Sequence, residues 1–311
     1  MKKLFIQILC VTFSILPLGA ESANWSVFGD ALVWHASEQE ATTWASIISE
    51  PSNKTANFDA ANVNFSWDLG FRGGLMYEPD HDARDLKLYW TNFTAKTSNN
   101  FALGEQIVAP EFFSGFISTN IFFGGGINWK LELNMLDFDI GHKLQIGKAV
   151  TLRPAIGIKG GTINQTVNCD WNAVLYTANE EILQKFWGVG PSFAIDSKWH
   201  IFENFSLIGN FATAFLWGNW NVVDTYKRPT ALLVTPTTIT TTMSNARLGT
   251  AMFDYFMGFE WAYKGRSSVT IQLGYEMQFW ANQLRMTTFQ ILPVHGDLTL
   301  QGGTCHIRID L

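Results

Sequence analysis

The sequence predicts an all-β fold: a transmembrane, antiparallel, up-and-down β-barrel of about ten strands, with twelve as the alternative count. Three observations predict it. Long segments alternate apolar and polar residues with a period of two, the mark of a strand with unlike faces. The connections between them are alternately tight and long. The chain is also rich in rings and poor in charge, with 14% aromatic residues, 13 tryptophans and only 15% charged residues, against about a quarter charged in ordinary soluble domains.

The chain opens with Lys2 and Lys3, an apolar run from Leu4 to Leu16, then Pro17 and the small residues Gly19, Ala20 and Ala23. This is the layout of a secretory signal peptide cleaved after residue 20 or 23, so 1–23 reads as an export signal and 24–311 as one barrel domain. Cys10 sits inside the apolar run behind Gln7, Ile8 and Leu9, which is no lipobox. Strands then follow at about 25–36, 65–77, 86–97, 129–144, 151–164, 187–199, 205–218, 251–263, 268–280 and 297–311. In the second, Phe65, Trp67, Leu69, Phe71, Leu75 and Tyr77 share a face and Asp68 and Arg72 lie opposite. In the fourth, Trp129, Leu131, Leu133 and Met135 give way to Leu136, Phe138 and Ile140, a change of phase that predicts a β-bulge. Segment 187–199 sets Trp187, Val189, Phe193, Ile195 and Trp199 against Asp196 and Lys198; 251–263 sets an almost wholly aromatic face against Asp254 and Glu260. In 268–280 the odd positions are Val269, Ile271, Leu273, Tyr275, Met277 and Phe279.

The connections 78–85, 146–150, 200–204 and 264–268 are short and polar, whereas 37–63, 98–128, 165–185, 219–247 and 284–296 are long, the asymmetry of an outer-membrane barrel. Ring positions turn the apolar face outward. Trp187 with Trp199, and Phe205 with Trp217, lie on one face of their strands, each pair roughly 30 Å apart along the membrane normal at about 3.3 Å per residue and a tilt near 40°. Two aromatic girdles belong at that separation, and Trp67, Tyr77, Trp261, Tyr263 and Phe279 join them as candidates. The opposite face then lines the lumen with Asp68, Arg72, Lys130, Glu132, Arg153, Lys159, Asp196, Lys198, Asp254, Glu260, Gln272, Glu276, Gln278 and Arg308. The signs are mixed, which predicts neither strong cation nor strong anion selectivity.

Several classes fall away. The formal charge is −6, and −8 once residues 1–20 with their two lysines are removed, so nucleic acid is not an expected partner. Cys169 and Cys305 are placed in an outer loop and in the last strand, which does not pair them; an intermolecular bridge through Cys169 stands beside a free thiol. No Gly-x-Ser-x-Gly elbow occurs, and His295 with Asp297 at a loop–strand boundary is a weak dyad, so no enzyme is expected. Asp80, His81, Asp82 and Asp85 fall in a turn where charge is ordinary, and neither metal nor other cofactor is expected. The loop 101–127, with its apolar "EFFSGFIS" and "IFFGGG", reads as folding into the barrel mouth, packing on a neighbouring protomer or forming a local cap; "TALLVTPTTITTT" at 230–242 reads as a β-rich hairpin above the membrane.

The stretches "VWHASEQE" (33–40), "WDLGFRGGLMY" (67–77), "TLRPAIGIKGG" (151–161), "FWGVGPSFAIDSKWHI" (186–201) and "GDLTLQG" (296–302) resemble the Legionella-type major outer membrane protein family, found also in chlamydia-like bacteria. The resemblance implies a pore-forming barrel of the outer membrane. Two functions follow as expectations: a porin passing ions and small solutes through a polar lumen, and, as the alternative, a non-conducting surface barrel acting as a structural protein or adhesin through its outer loops. Expected partners are outer-membrane lipid, ions and small solutes, with a homo-oligomer and host-surface contact as further options. Lumenal charges paired across the barrel favour the second function, and charges facing an open channel favour the first.

Overall fold

The computed structural model describes residues 24–38, 43–52, 55–79, 83–102, 104, 106–111, 122–229, 237–264, 268–286 and 294–311; residues 1–23, expected to be an export signal, lie outside them. Ten strands close the barrel: β1 (Asn24–Glu38), β4 (Trp67–Glu78), β5 (Arg84–Phe101), β7 (Gly124–His142), β9 (Val150–Asn172), β10 (Thr177–Phe202), β11 (Phe205–Lys227), β12 (Thr238–Lys264), β13 (Ser268–Met286) and β14 (Val294–Asp310). Each pairs antiparallel with the next in the chain, and β1 pairs with β14 to complete the ring. The start of β1 and the end of β14 lie at the end of the tight turns, where the Leu311 amide donates to the Trp25 carbonyl at 2.8 Å. There β8 (Leu144–Ile146) folds back on β9. At the opposite, loop end, β2 (Thr43–Ser52), β3 (Thr55–Asn62) and β6 (Ile107–Pro110) form a separate three-stranded sheet in the order β3-β2-β6.

The strands are longer than expected. β10 has 26 residues and β12 has 27, roughly 85 Å of extended chain, where a tilted crossing needs about nine to eleven residues. The surplus rises out of the membrane at the loop end. The expected long loop over 165–185 is therefore absent: β9 climbs to Asn172, a turn at 173–176 follows, and β10 begins at Thr177. Asn164, Thr166, Asn168 and Asp170 point outward there, and they read as loop because water, not lipid, faces them. Much of 219–247 is likewise strand, Thr238–Thr242 pairing with Lys227–Val223; the remainder of the expected hairpin, 230–236, lies outside the described residues.

The same boundary removes the expected β-bulge in β7. The register of β7 on β5 and on β9 is unbroken through Met135 and Leu136. Leu131, Leu133 and Met135 are buried and point inward, whereas Leu136, Phe138 and Ile140 point outward and are 39–46% exposed. The strand keeps one geometry and its surroundings invert. In the membrane half the outer face meets lipid and the inner face is polar; above it the outer face meets water and the inner face is a core.

Candidate functional site

The membrane half of the lumen is a lattice of ion pairs hung on the inward positions of the strands. Arg72 of β4 reaches Asp30 of β1 at 3.0 Å and Glu276 of β13 at 2.6 Å. Asp30 also meets His306 Nδ1 at 2.6 Å, and Thr304 donates to Glu276 at 2.9 Å. Arg153 of β9 binds Asp85 of β5 and, at 2.9 Å, Asp196 of β10. It fits because Gly141 of β7 leaves room for it: a Cβ there would collide with the guanidinium. Lys159 pairs with Asp137 at 2.6 Å, and Lys198 with Glu260. Gln272 donates to Glu260 at 2.8 Å and Gln278 to Asp254 at 3.1 Å, while Arg308 Nε lies 3.1 Å from Asp310. Lys87 sits over the rings of Phe28 and Tyr89 at 4.9 and 4.8 Å, a cation–π contact. Most of these groups border a cavity of about 510 Å³, whereas Asp85, Asp137, Lys159, Gln278 and Asp310 lie outside its lining.

The loop half of the lumen is filled. Trp34, Trp44, Trp129, Trp171, Trp220 and Trp280 are all at most 2% exposed and pack with Leu32, Phe93, Leu131, Leu133, Phe186, Leu284 and Leu300. The sheet at the mouth joins this plug. Trp44 of β2 lies 5.3 Å from Trp171 of β9 between ring centroids, and Phe122 lies 6.0 Å from the same ring; Val108 of β6 is buried with them. The loop 101–127 thus folds into the barrel mouth in its described part, 112–121 lying outside the described residues. On the far wall β13 slips its register against β14 between Trp280 and Leu284, with Asn282 at φ 52°, and turns inward. The Gln283 carbonyl accepts from Gln184 at 3.1 Å and from Trp220 Nε1 at 3.3 Å, and its side chain meets Gln165 at 3.3 Å. Gln165 in turn accepts from Trp129 at 2.9 Å and donates to Glu38. Six strands, β1, β7, β9, β10, β11 and β13, are tied across the lumen through this one kink.

Three carboxyl groups are buried in the plug, above the membrane band. Burial pushes Glu38 up to about 8, against the lowering effect of its hydrogen bond from Gln165. Glu180 accepts from Trp171 Nε1 at 2.8 Å and has its other oxygen unpartnered; Asp224 has neither oxygen partnered among the described residues. Burial raises both, Asp224 to about 7, and the mutual repulsion of the two adds to the rise of Glu180.

Several candidates take other places. Lys130 and Glu132 do not line the lumen: they point outward above the membrane and pair with each other at 2.8 Å, each about 40% exposed. Inverted surroundings, not a bulge, misplaced them. Asp68 accepts from the Lys96 amide at 3.4 Å, beyond the last paired residues of β4 and β5. Arg72, Arg153, Asp196, Lys198, Asp254, Glu260, Gln272, Glu276 and Arg308 border the cavity, and Lys159 and Gln278 are buried on the inner wall. Trp67, Trp187, Trp199, Trp217, Trp261 and Tyr263 point outward at 45–64% exposure, with Tyr77, Phe205 and Phe279 on the same face, half-buried. Cys169 is not in a loop; it is a buried inward residue of β9, out of reach of a second barrel, and both described cysteines are free. Asp297 accepts from the Asn282 amide at 2.7 Å and so braces the β13 kink, with His295 opposite Arg285. Asp80, His81 and Asp82 lie outside the described residues, and Asp85 is spent on Arg153. Sequence reasoning missed Asp30, Asp85, Lys87, Asp137, Asp139 and His306, although Asp137 and Asp139 alternate with the lipid-facing Leu136, Phe138 and Ile140 and could have been found there.

A family model described as the Legionella pneumophila major outer membrane protein precursor matches residues 17–310. The chain belongs to this family. As a member of the major outer membrane protein family it resides in the outer membrane, with lipid around its barrel. No curated protein sequence matches it. Among solved structures it is similar to the outer membrane protease OmpT from Escherichia coli, with a TM-score of 0.45, 8% identity, and 94% of this chain and 99% of that one covered. It is also similar to a Pseudomonas aeruginosa FadL homologue (0.34, 10%, 93% and 90%) and to the Ralstonia pickettii toluene transporter TbuX (0.20, 8%, 94% and 90%). At this level of likeness the chemistry of those proteins does not transfer to this family member.

Proposed function

We propose that this protein is a surface barrel of the outer membrane that is closed to ions and small solutes at rest, and that it works as a wall component and contact surface through its loop end. One observation carries the reading: the loop half of the lumen is packed with apolar side chains at most 8% exposed, as the interior of a folded domain is. The ion-pair lattice below it points the same way, since the lumenal arginines Arg72 and Arg153 and the lysines Lys159 and Lys198 each meet a carboxylate of another strand. The protein has no catalytic role in this reading, because His295 and Asp297 sit at a structural kink.

A second reading, the passive porin that the family resemblance implies, is favoured by the charged cavity of about 510 Å³ beneath the plug. In that form the protein is a gated pore and the plug is its gate. Single-channel recording separates the two. The chain from residue 24, refolded into a planar bilayer at pH 6 and shown to be folded by heat-dependent gel migration, is expected to stay silent. Discrete, reproducible steps under those conditions would replace the closed barrel with an open porin.

A further inference from the structure

The plug is built mainly of hydrocarbon, yet it holds three carboxyl groups where none is needed for packing. Glu180 of β10 and Asp224 of β11 are neighbours on the inner wall: Glu180 stands opposite Tyr226, and Asp224 opposite Ile182. Both side chains are at most 1% exposed, and so is Glu38 of β1. A buried carboxylate without a counter-charge is costly, whereas its protonated form is a small polar group that a single hydrogen bond nearly satisfies.

Among the described residues the surroundings supply no counter-charge. Around the pair, β9 presents Cys169, opposite Glu180, with Asp170 next to it on the outer face. β11 presents Tyr226, and β12 presents Thr241 opposite Asp224. Around Glu38, β9 presents Gln165, which also meets Gln283 of β13, and Asp297 of β14 carries a charge of the same sign that acts on it. Of the cations of this half, Arg285 lies over the Trp220 ring at 4.8 Å. Among the described residues no cation acts on any of the three acids.

We propose that the plug is a proton-held latch, packed while Glu38, Glu180 and Asp224 carry protons and loosened as they ionise. The loosened plug lets water and β9's inner face meet, whether or not the lumen then conducts. Linkage gives the direction. The packed state binds more protons than the loosened one, so acid favours packing and each pH unit inside the window shifts the balance by about tenfold per coupled proton.

Cys169 is the reporter, since it stands opposite Glu180 and is buried in the packed plug. In the chain from residue 24 carrying Cys305→Ala it is the sole thiol. The refolded barrel in phosphatidylcholine vesicles is labelled with N-ethylmaleimide between pH 5.5 and 8.5, alongside a second protein that also carries Glu180→Gln and Asp224→Asn. The ratio of the two rates cancels the ordinary rise of thiolate with pH. Neutralising the pair also eases ionisation of the thiol, which works against the expected result. That result is a ratio of native to amide rate rising roughly tenfold or more across the range. A ratio constant within about twofold overturns the latch. Should the double amide fail to give a heat-modifiable band, Glu38→Gln, which keeps an acceptor for Gln165, takes its place under the same criterion. Conductance recorded in parallel bears only on the closed-barrel reading: a silent barrel with a rising ratio leaves the latch standing.

Discussion

Arg72 shows what one residue does in this lumen. It bridges β1, β4 and β13 through Asp30 and Glu276, whose side chains are 4% and 3% exposed, and its guanidinium lies 5.7 Å from the Trp34 ring at the floor of the plug. Removing it strands two carboxylates in a poorly solvated site. Arg72→Leu is expected to cost about 3–5 kcal/mol, read as a fall in the urea midpoint of the heat-modifiable band; an unshifted midpoint would mean that water already screens these acids. Lys130→Ala and Glu132→Ala, by contrast, are expected to change stability by less than about 1 kcal/mol, the usual worth of an exposed pair, and to leave any conductance untouched. Sequence alone put Arg72 and Lys130 in one class because each alternates with apolar neighbours. Only their heights relative to the membrane separate them.

At the scale of an element, β7 carries the lesson. Its apolar string passes from odd to even positions at Met135–Leu136 without any change of register, so the water–lipid boundary crosses the strand there. A charge scan along the outer face tests this directly. Phe138→Arg is expected to cost about 2–4 kcal/mol, as a cation does near the bilayer midplane, whereas Asn134→Arg is expected to cost no more than about 1 kcal/mol, as it does near an interface. Equal costs at the two positions would contradict the boundary. β13 makes the complementary point. Its lipid-facing half was legible from strict alternation, but the kink at Asn282 that throws Gln283 across the lumen leaves no mark in a hydrophobic pattern, since it depends on what β9, β10 and β11 offer on the other side.

For the whole molecule, the barrel joins two solvents, with a polar interior where the wall meets lipid and an apolar interior where it meets water. Its stability should therefore respond to pH through the acids of the plug. Their folded-state values are raised, to about 8 for Glu38 and about 7 for Asp224, from ordinary values near 4. Between about pH 4 and 8 the folded state holds protons that the unfolded chain has released, so stability falls as pH rises through this window and is flat above it. Urea midpoints at pH 5 and pH 8 are expected to show the loss, and Asp224→Asn is expected to shrink it. A native midpoint that rises with pH would refute the assignment.

Composition, period-two alternation and the spacing of Trp187 from Trp199 determined a great deal without any structure: a membrane barrel of about ten strands, and which face of its lower half meets lipid. These are local properties, because lipid selects side chains strand by strand along a regular period. The filled lumen, the inward kink of β13 and the burial of Glu180 beside Asp224 were decided by tertiary structure alone. Each depends on side chains from strands far apart in the chain meeting across a barrel interior only wide enough for them to touch, and no pattern along a single strand records what stands opposite.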